Sequence, residues 1–113
     1  MSDDLELKEL PYFTGTSGYQ NYFGVNLTDG VLYVMNNGYH WFVSDMVVIL
    51  AMRLRSEPFC SVKLKLGDNS SAVASIEDGN GKVLHEQSYS YTDAKRELTL
   101  FYTDGVLMLS SEY

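Results

Sequence analysis

Pro58 divides this chain into two hydrophobic rhythms. After it, "CSVKLKLG" alternates strictly, with Val62, Leu64 and Leu66 on one side and Ser61, Lys63 and Lys65 on the other. Successive side chains of a strand point to opposite faces, so this pattern predicts a strand with one buried face. Before it, "YHWFVSDMVVILAMRLRSEP" keeps no period of two. Met46 to Met52 are apolar all round, which predicts a helix buried on most of its faces. Ser44 or Asp45 suits its amino-terminal cap, Arg53 and Arg55 its carboxyl end, and Pro58 its termination.

More alternating runs follow. "SAVASIED" alternates weakly and "EDGNGK" is a turn of residues that tolerate positive φ. "KVLHEQSYSY" sets Val83, His85, Gln87, Tyr89 and Tyr91 against Leu84, Glu86, Ser88 and Ser90. "ELTLFY" and "VLMLSS" flank Asp104-Gly105, a two-residue hairpin signal. The string "TDGVL" occurs at 28–32 and again at 103–107. The first copy precedes helix-spaced Val31, Leu32, Val34 and Met35 and then the stop "NNG", so it predicts a short helix capped by Thr28 or Asp29. The second lies between period-two runs and predicts a reversal of strands. One punctuation mark serves two structures.

Upstream, the first ten residues predict a short helix or arm ended by Pro11, and "YFTGTSGYQNYFG" an ordered loop with its aromatics on the core. The expected fold is α+β: amino-terminal helices packed on an antiparallel sheet of about five strands. It forms a single domain over 1–113, mainly helix and loop over 1–58 and strands over 59–113. A chain of 113 residues is long enough to bury roughly two-thirds of its unfolded surface. Val106 to Leu109 are apolar on both faces, so that strand requires cover. Either the strand is internal beside "CSVKLKL", or the Tyr12–Leu27 segment covers it, or it pairs with a second copy; cover by the same chain is the first choice and a dimer the second, giving a monomer or a homodimer.

Charge narrows the function classes. Fifteen acidic residues against eight basic ones give a formal net charge of −7. That field repels phosphate backbones and anionic lipid, so no direct nucleic acid and no membrane is expected as partner. It suits a protein partner with a basic surface, although the same acidity also serves solubility. The lone Cys60 forms no internal disulfide, so a reducing, cytoplasmic setting is expected, and the acidic start "MSDDLELKEL" is no signal peptide.

Chemical motifs are lacking. "GDNSS" and "DGNG" are turn chemistry, and neither a phosphate loop nor a calcium loop is spelled out. His40, His85 and Cys60 do not make a spaced zinc set, and Cys60 at a strand start is the usual place for an inert thiol. No cofactor, metal or catalytic residue is therefore assigned. Tyrosine is abundant, with nine residues, and such side chains fill cores and interfaces alike. The interaction residues expected from this reasoning are Tyr19, Tyr22, Glu77, Asp78, Glu86, Tyr89 and Tyr91.

"FTGT", "LTDGV", "YHWFVSDMVV", "EDGNG" and above all "YTDGVLMLSSEY" resemble DUF6876, a family of small bacterial and phage proteins, over Phe13 to Tyr113. The resemblance implies an independent domain in a bacterial, prophage or mobile-element setting and supplies no reaction or cofactor. Two readings follow. The first is a non-enzymatic acidic interaction domain, such as an anti-CRISPR-like inhibitor of a host defence machine. The alternative is a small-molecule-binding or enzymatic domain with a cleft between helices and sheet near Tyr39, His40 and Trp41.

Overall fold

The computed structural model describes residues 6–8 and 18–113. The expected first helix or arm therefore lies outside the described residues except at 6–8, where Leu7 is fully buried with a positive φ of 56°. Tyr12 also lies outside them.

Among the described residues seven strands form one sheet: β1 Gln20–Tyr22, β2 Val25–Leu27, β3 Cys60–Leu66, β4 Ala72–Asp78, β5 Val83–Tyr89, β6 Leu98–Thr103 and β7 Val106–Leu109. Their order across the sheet is β1-β2-β7-β6-β3-β4-β5. Two helices, α1 Asp29–Val34 and α2 His40–Arg53, lie between β2 and β3 in the chain. No helix among the described residues is long and apolar enough to cross a membrane.

The α+β class is as expected, and β3 to β7 are the five runs read from the alternation. The count, the strand directions and the place of the helices differ: the helices are expected to open the chain, but among the described residues α1 and α2 follow β1 and β2. β1 and β2 add a hairpin inside the half expected to be mainly helix and loop, and β2 pairs with β7 in parallel. The sheet is mixed for that reason. The hairpin escapes a periodicity search because each strand has only three residues. Its turn is Phe23-Gly24, with φ of 54° and 92°, the backbone of a primed turn carried by a residue that rarely adopts it. Nor are the aromatics of this segment uniformly tucked in: Tyr22 is half-buried, whereas Tyr19 and Phe23 are exposed.

The two copies of "TDGVL" behave as their neighbours dictate. Thr28 caps α1, its Oγ1 accepting from the Val31 amide at 3.3 Å. Asp104 and Gly105, with φ of 54° and 77°, reverse β6 into β7. Tertiary pairing then brings the copies side by side. The Asn26 amide donates to Gly105 O at 2.9 Å and the Thr28 amide to Leu107 O at 3.2 Å. β7 is thereby internal, between β6 and β2, and β2 is the part of the expected covering segment that lies among the described residues.

The helical region departs from expectation at its middle. Gly38, with φ of 105°, is the left-handed position that "NNG" predicts, and Asn37 beside it also leaves the helical region. Instead of opening into a loop, the chain re-enters a helix at His40, and the Trp41 Nε1–H donates to Gly38 O at 2.9 Å. Ser44 and Asp45 consequently lie in the second turn of α2 and not at its cap. Nor is α2 buried all round. Phe42, Val43, Met46, Val47 and Leu50 are buried, while Met52 is 78% exposed.

The core lies between the helices and one face of the sheet. It joins those α2 residues to Cys60, Val62 and Leu64 of β3, Ala74 and Ile76 of β4, Leu98 and Leu100 of β6 and Leu107 of β7. Each fully buried Leu, Ile or Val side chain contributes about 1.5–3 kcal/mol of transfer free energy. The other face carries Lys63, Glu77, Glu86 and an aromatic trio. Phe59, Phe101 and Tyr113 have ring centroids 5.3–5.8 Å apart.

Candidate functional site

The densest polar arrangement sits on the seam between α2 and β5. Residues four apart share a helix face, so Trp41 and Asp45 both project toward β5. Alternation along β5 brings His85, Gln87 and Tyr89 to meet them. A bulge interrupts that pattern between Ile76 and Glu77 of β4. Ile76 pairs with His85 and Glu77 with Val83, so the intervening Leu84 is skipped and Val83 turns to the opposite face, where it is 51% exposed.

The seam is a continuous hydrogen-bonded chain. The Tyr89 hydroxyl donates to Asp45 Oδ2 at 2.8 Å, and Gln87 Nε2 donates to the same oxygen at 3.0 Å and to the Tyr89 hydroxyl at 3.0 Å. Gln87 Oε1 lies 3.0 Å from His85 Nε2, and because an amide oxygen only accepts, that ring nitrogen carries the proton. Trp41 closes the seam against Tyr89, ring centroids 4.8 Å apart and planes at 71°. Burial, then the hydrogen bond and negative charge of Asp45, push the Tyr89 phenol well above its ordinary pKa. Tyr89 is thus held as a donor, the wrong state for a base.

Beside this seam lies an open cleft of about 270 Å³, lined by Trp41, Tyr89, Tyr91, Thr92 and Asp93. Its far wall is the loop that follows β5. That loop is anchored where the Thr92 amide donates to Ser70 O at 2.7 Å and the Ala94 amide to Thr92 Oγ1 at 3.1 Å. Tyr91 is 73% exposed, and Asp93 is exposed.

The seven expected interaction residues divide between opposite sides of the molecule. Tyr19 and Tyr22 belong to the β1 end of the sheet, while Glu77, Asp78, Glu86, Tyr89 and Tyr91 belong to the β4–β5 end. With strands spaced about 4.8 Å apart, the two edges lie on the order of 29 Å from one another. Within the second group the roles differ. Glu77 pairs with Lys63 at 3.4 Å. Asp78 accepts from the Asn80 and Lys82 amides at 2.8 and 2.9 Å, and those bonds hold its carboxyl below the usual range. Tyr89 belongs to the seam, Tyr91 to the cleft, and Glu86 is exposed on the opposite face of β5.

Of Tyr39, His40 and Trp41, only Trp41 reaches the cleft. Tyr39 is fully buried with its hydroxyl accepting from the Lys95 amide at 3.0 Å, and His40 is exposed. Asp45 and Asp93 went unselected by sequence reasoning. For Asp45 a signal existed, since it is the single carboxylate of a mostly apolar helix and stands four residues after Trp41.

Cys60 is buried at the start of β3, and burial, followed by the charges of Glu57 and Asp78, pushes its thiol up to about 11. A thiol in that state packs and does not attack.

No curated protein and no solved structure matches this chain. A family model matches residues 4–113, nearly its whole length, and the chain accordingly belongs to the family of unknown function DUF6876.

Proposed function

We propose that this protein works by contact, offering the acidic, tyrosine-bearing surface along β5 and the following loop to a basic surface of a partner protein. The observation that carries the reading is that exposed Tyr91 and the exposed carboxylate of Asp93 line one cleft, while the exposed carboxylate of Glu86 lies on the other face of β5. Neither carboxylate makes a hydrogen bond or ion pair with the described residues, so both are open to an incoming cation. A net charge of −7 adds a long-range field that speeds encounter with a basic partner. In this reading the protein carries out no reaction. Tyr89, Tyr102 and Cys60 are all shifted toward their protonated states.

The setting we infer is the bacterial cytoplasm, in a cell that carries a phage or other mobile element. A defence machine that grips nucleic acid offers a basic groove that an acidic domain of this size can occupy, so an anti-CRISPR-like inhibitor is the specific form of the proposal.

The test is capture from bacterial lysate on the immobilised protein, compared with a Glu86→Lys, Asp93→Lys double variant. Retention of a discrete basic protein, released by raised salt and lost with the double variant, is the expected result. Retention that ignores both salt and charge reversal overturns the proposal.

A further inference from the structure

We infer that the cleft formed by Trp41, Tyr89 and Tyr91 is an aromatic box that receives a single arginine side chain of the basic partner. This assignment rests on the contact reading and gives it a specific anchor point.

The walls carry the argument. Trp41 and Tyr89 stand at 71° with centroids 4.8 Å apart, so two π systems meet at a corner rather than stacking flat. Tyr91 adds a third ring at the mouth, 73% exposed. An aromatic face is electrically negative, and a cation placed against several such faces is attracted by each. Carboxylates reinforce the sign: Asp93 lines the cleft, and Asp45 stands directly behind the Tyr89 hydroxyl. Among the described residues, no lysine or arginine lines it. The volume of about 270 Å³ accommodates a guanidinium head and the end of its stem.

Arginine suits this site better than lysine. Its planar head stacks on rings, loses less hydration on entering an open cleft, and presents a fork of donors to a carboxylate such as Asp93. The box is also prepared in advance. Asp45 and Gln87 hold the Tyr89 ring by its hydroxyl, and Gly38 holds the Trp41 indole by its N–H, so little side-chain freedom is lost when the cation enters.

Trp41 is the single tryptophan of the chain, so its fluorescence reports the cleft without a label. The probe is a blocked Gly-Arg-Gly peptide, with its citrulline counterpart as the uncharged control of the same shape. A saturable change in Trp41 emission is expected with arginine, in the millimolar range for one isolated side chain, and none with citrulline. Tyr91→Ala should abolish the response and Asp93→Asn weaken it several-fold. Both side chains are exposed, so unchanged circular dichroism verifies that the variants fold. A response that stays linear up to the solubility of the peptide, or one equal for citrulline, overturns the box.

The two proposals fail separately. Salt-sensitive partner capture that survives Tyr91→Ala, with no arginine response, rejects the box and leaves the contact reading standing. Saturable arginine binding without any captured partner does the reverse.

Discussion

The Tyr89 hydroxyl reaches Asp45 Oδ2 across 2.8 Å, joining the single carboxylate of α2 to the edge strand β5. Both residues are half-buried, and a hydrogen bond to an ionised partner is stronger than one between neutral groups. Tyr89→Phe should cost about 1–3 kcal/mol in urea unfolding. Asp45→Asn should cost a similar amount. Their double variant should cost less than the sum, because the two residues share one bond. Strict additivity would show that the bond contributes nothing.

Alkaline pH should weaken the fold. Tyr89 is raised above its ordinary value of 10.0, and Cys60 from 9.0 to about 11. A raised folded pKa means stability that is complete below the unfolded value and is lost as pH climbs through the folded one. Urea midpoints should therefore fall between about pH 9 and about pH 11, and Cys60→Ala should remove part of that slope. At about pH 8 the thiol should react with an aromatic disulfide only at the rate of unfolding. Rapid reaction of the native protein would contradict its burial.

Glu112 acts as a clamp between the end of the chain and the start of α1. Its Oε1 accepts from Thr28 Oγ1 at 2.6 Å and the Leu109 amide at 2.9 Å, and its Oε2 accepts from the Gly30 amide at 3.2 Å. A methyl group on Gly30 would lie 2.7 Å from Glu112 Oε1 and press on the Leu109 side chain. Gly30→Ala and Glu112→Ala should each destabilise by about 1–3 kcal/mol in thermal or urea unfolding. The first acts through overpacking and the second by stripping three donors of their acceptor. A neutral Gly30→Ala would mean that the clamp yields easily.

Phe23 offers the opposite sign. It is 73% exposed at the tip of the β1–β2 hairpin with φ of 54°, a conformation that asparagine tolerates better. Phe23→Asn should stabilise the protein by about 0.5–1 kcal/mol. A loss of stability would show that the Phe23 ring makes a contact of its own.

Local chemistry was legible wherever a few neighbouring residues decide the backbone. Asp104-Gly105 supplied positive φ for a hairpin, Thr28 a cap, Gly38 a left-handed stop, and the period-two runs supplied β3 to β7. The hairpin at Phe23-Gly24 was hidden, because its strands are too short to show a period and its turn uses an aromatic residue. Asp45 was mistaken for a cap for a related reason. Its role depends on whether α2 starts at His40 or five residues later, and a carboxylate beside an apolar run suits either. Val83 moved to the other face of the sheet because of one skipped residue, a displacement that no alternation in β5 itself records.

The sequence by itself determined the class of fold, the place of its principal turns and the buried face of its central strands, because backbone preference and hydrophobic spacing act over a few residues. Only the tertiary structure decided which strands became neighbours and which side chains met. Thr28 and Glu112 lie 84 positions apart, and Asp45 and Tyr89 lie 44 apart. Contacts of that span are selected by the packing of the whole core, which no local spacing encodes.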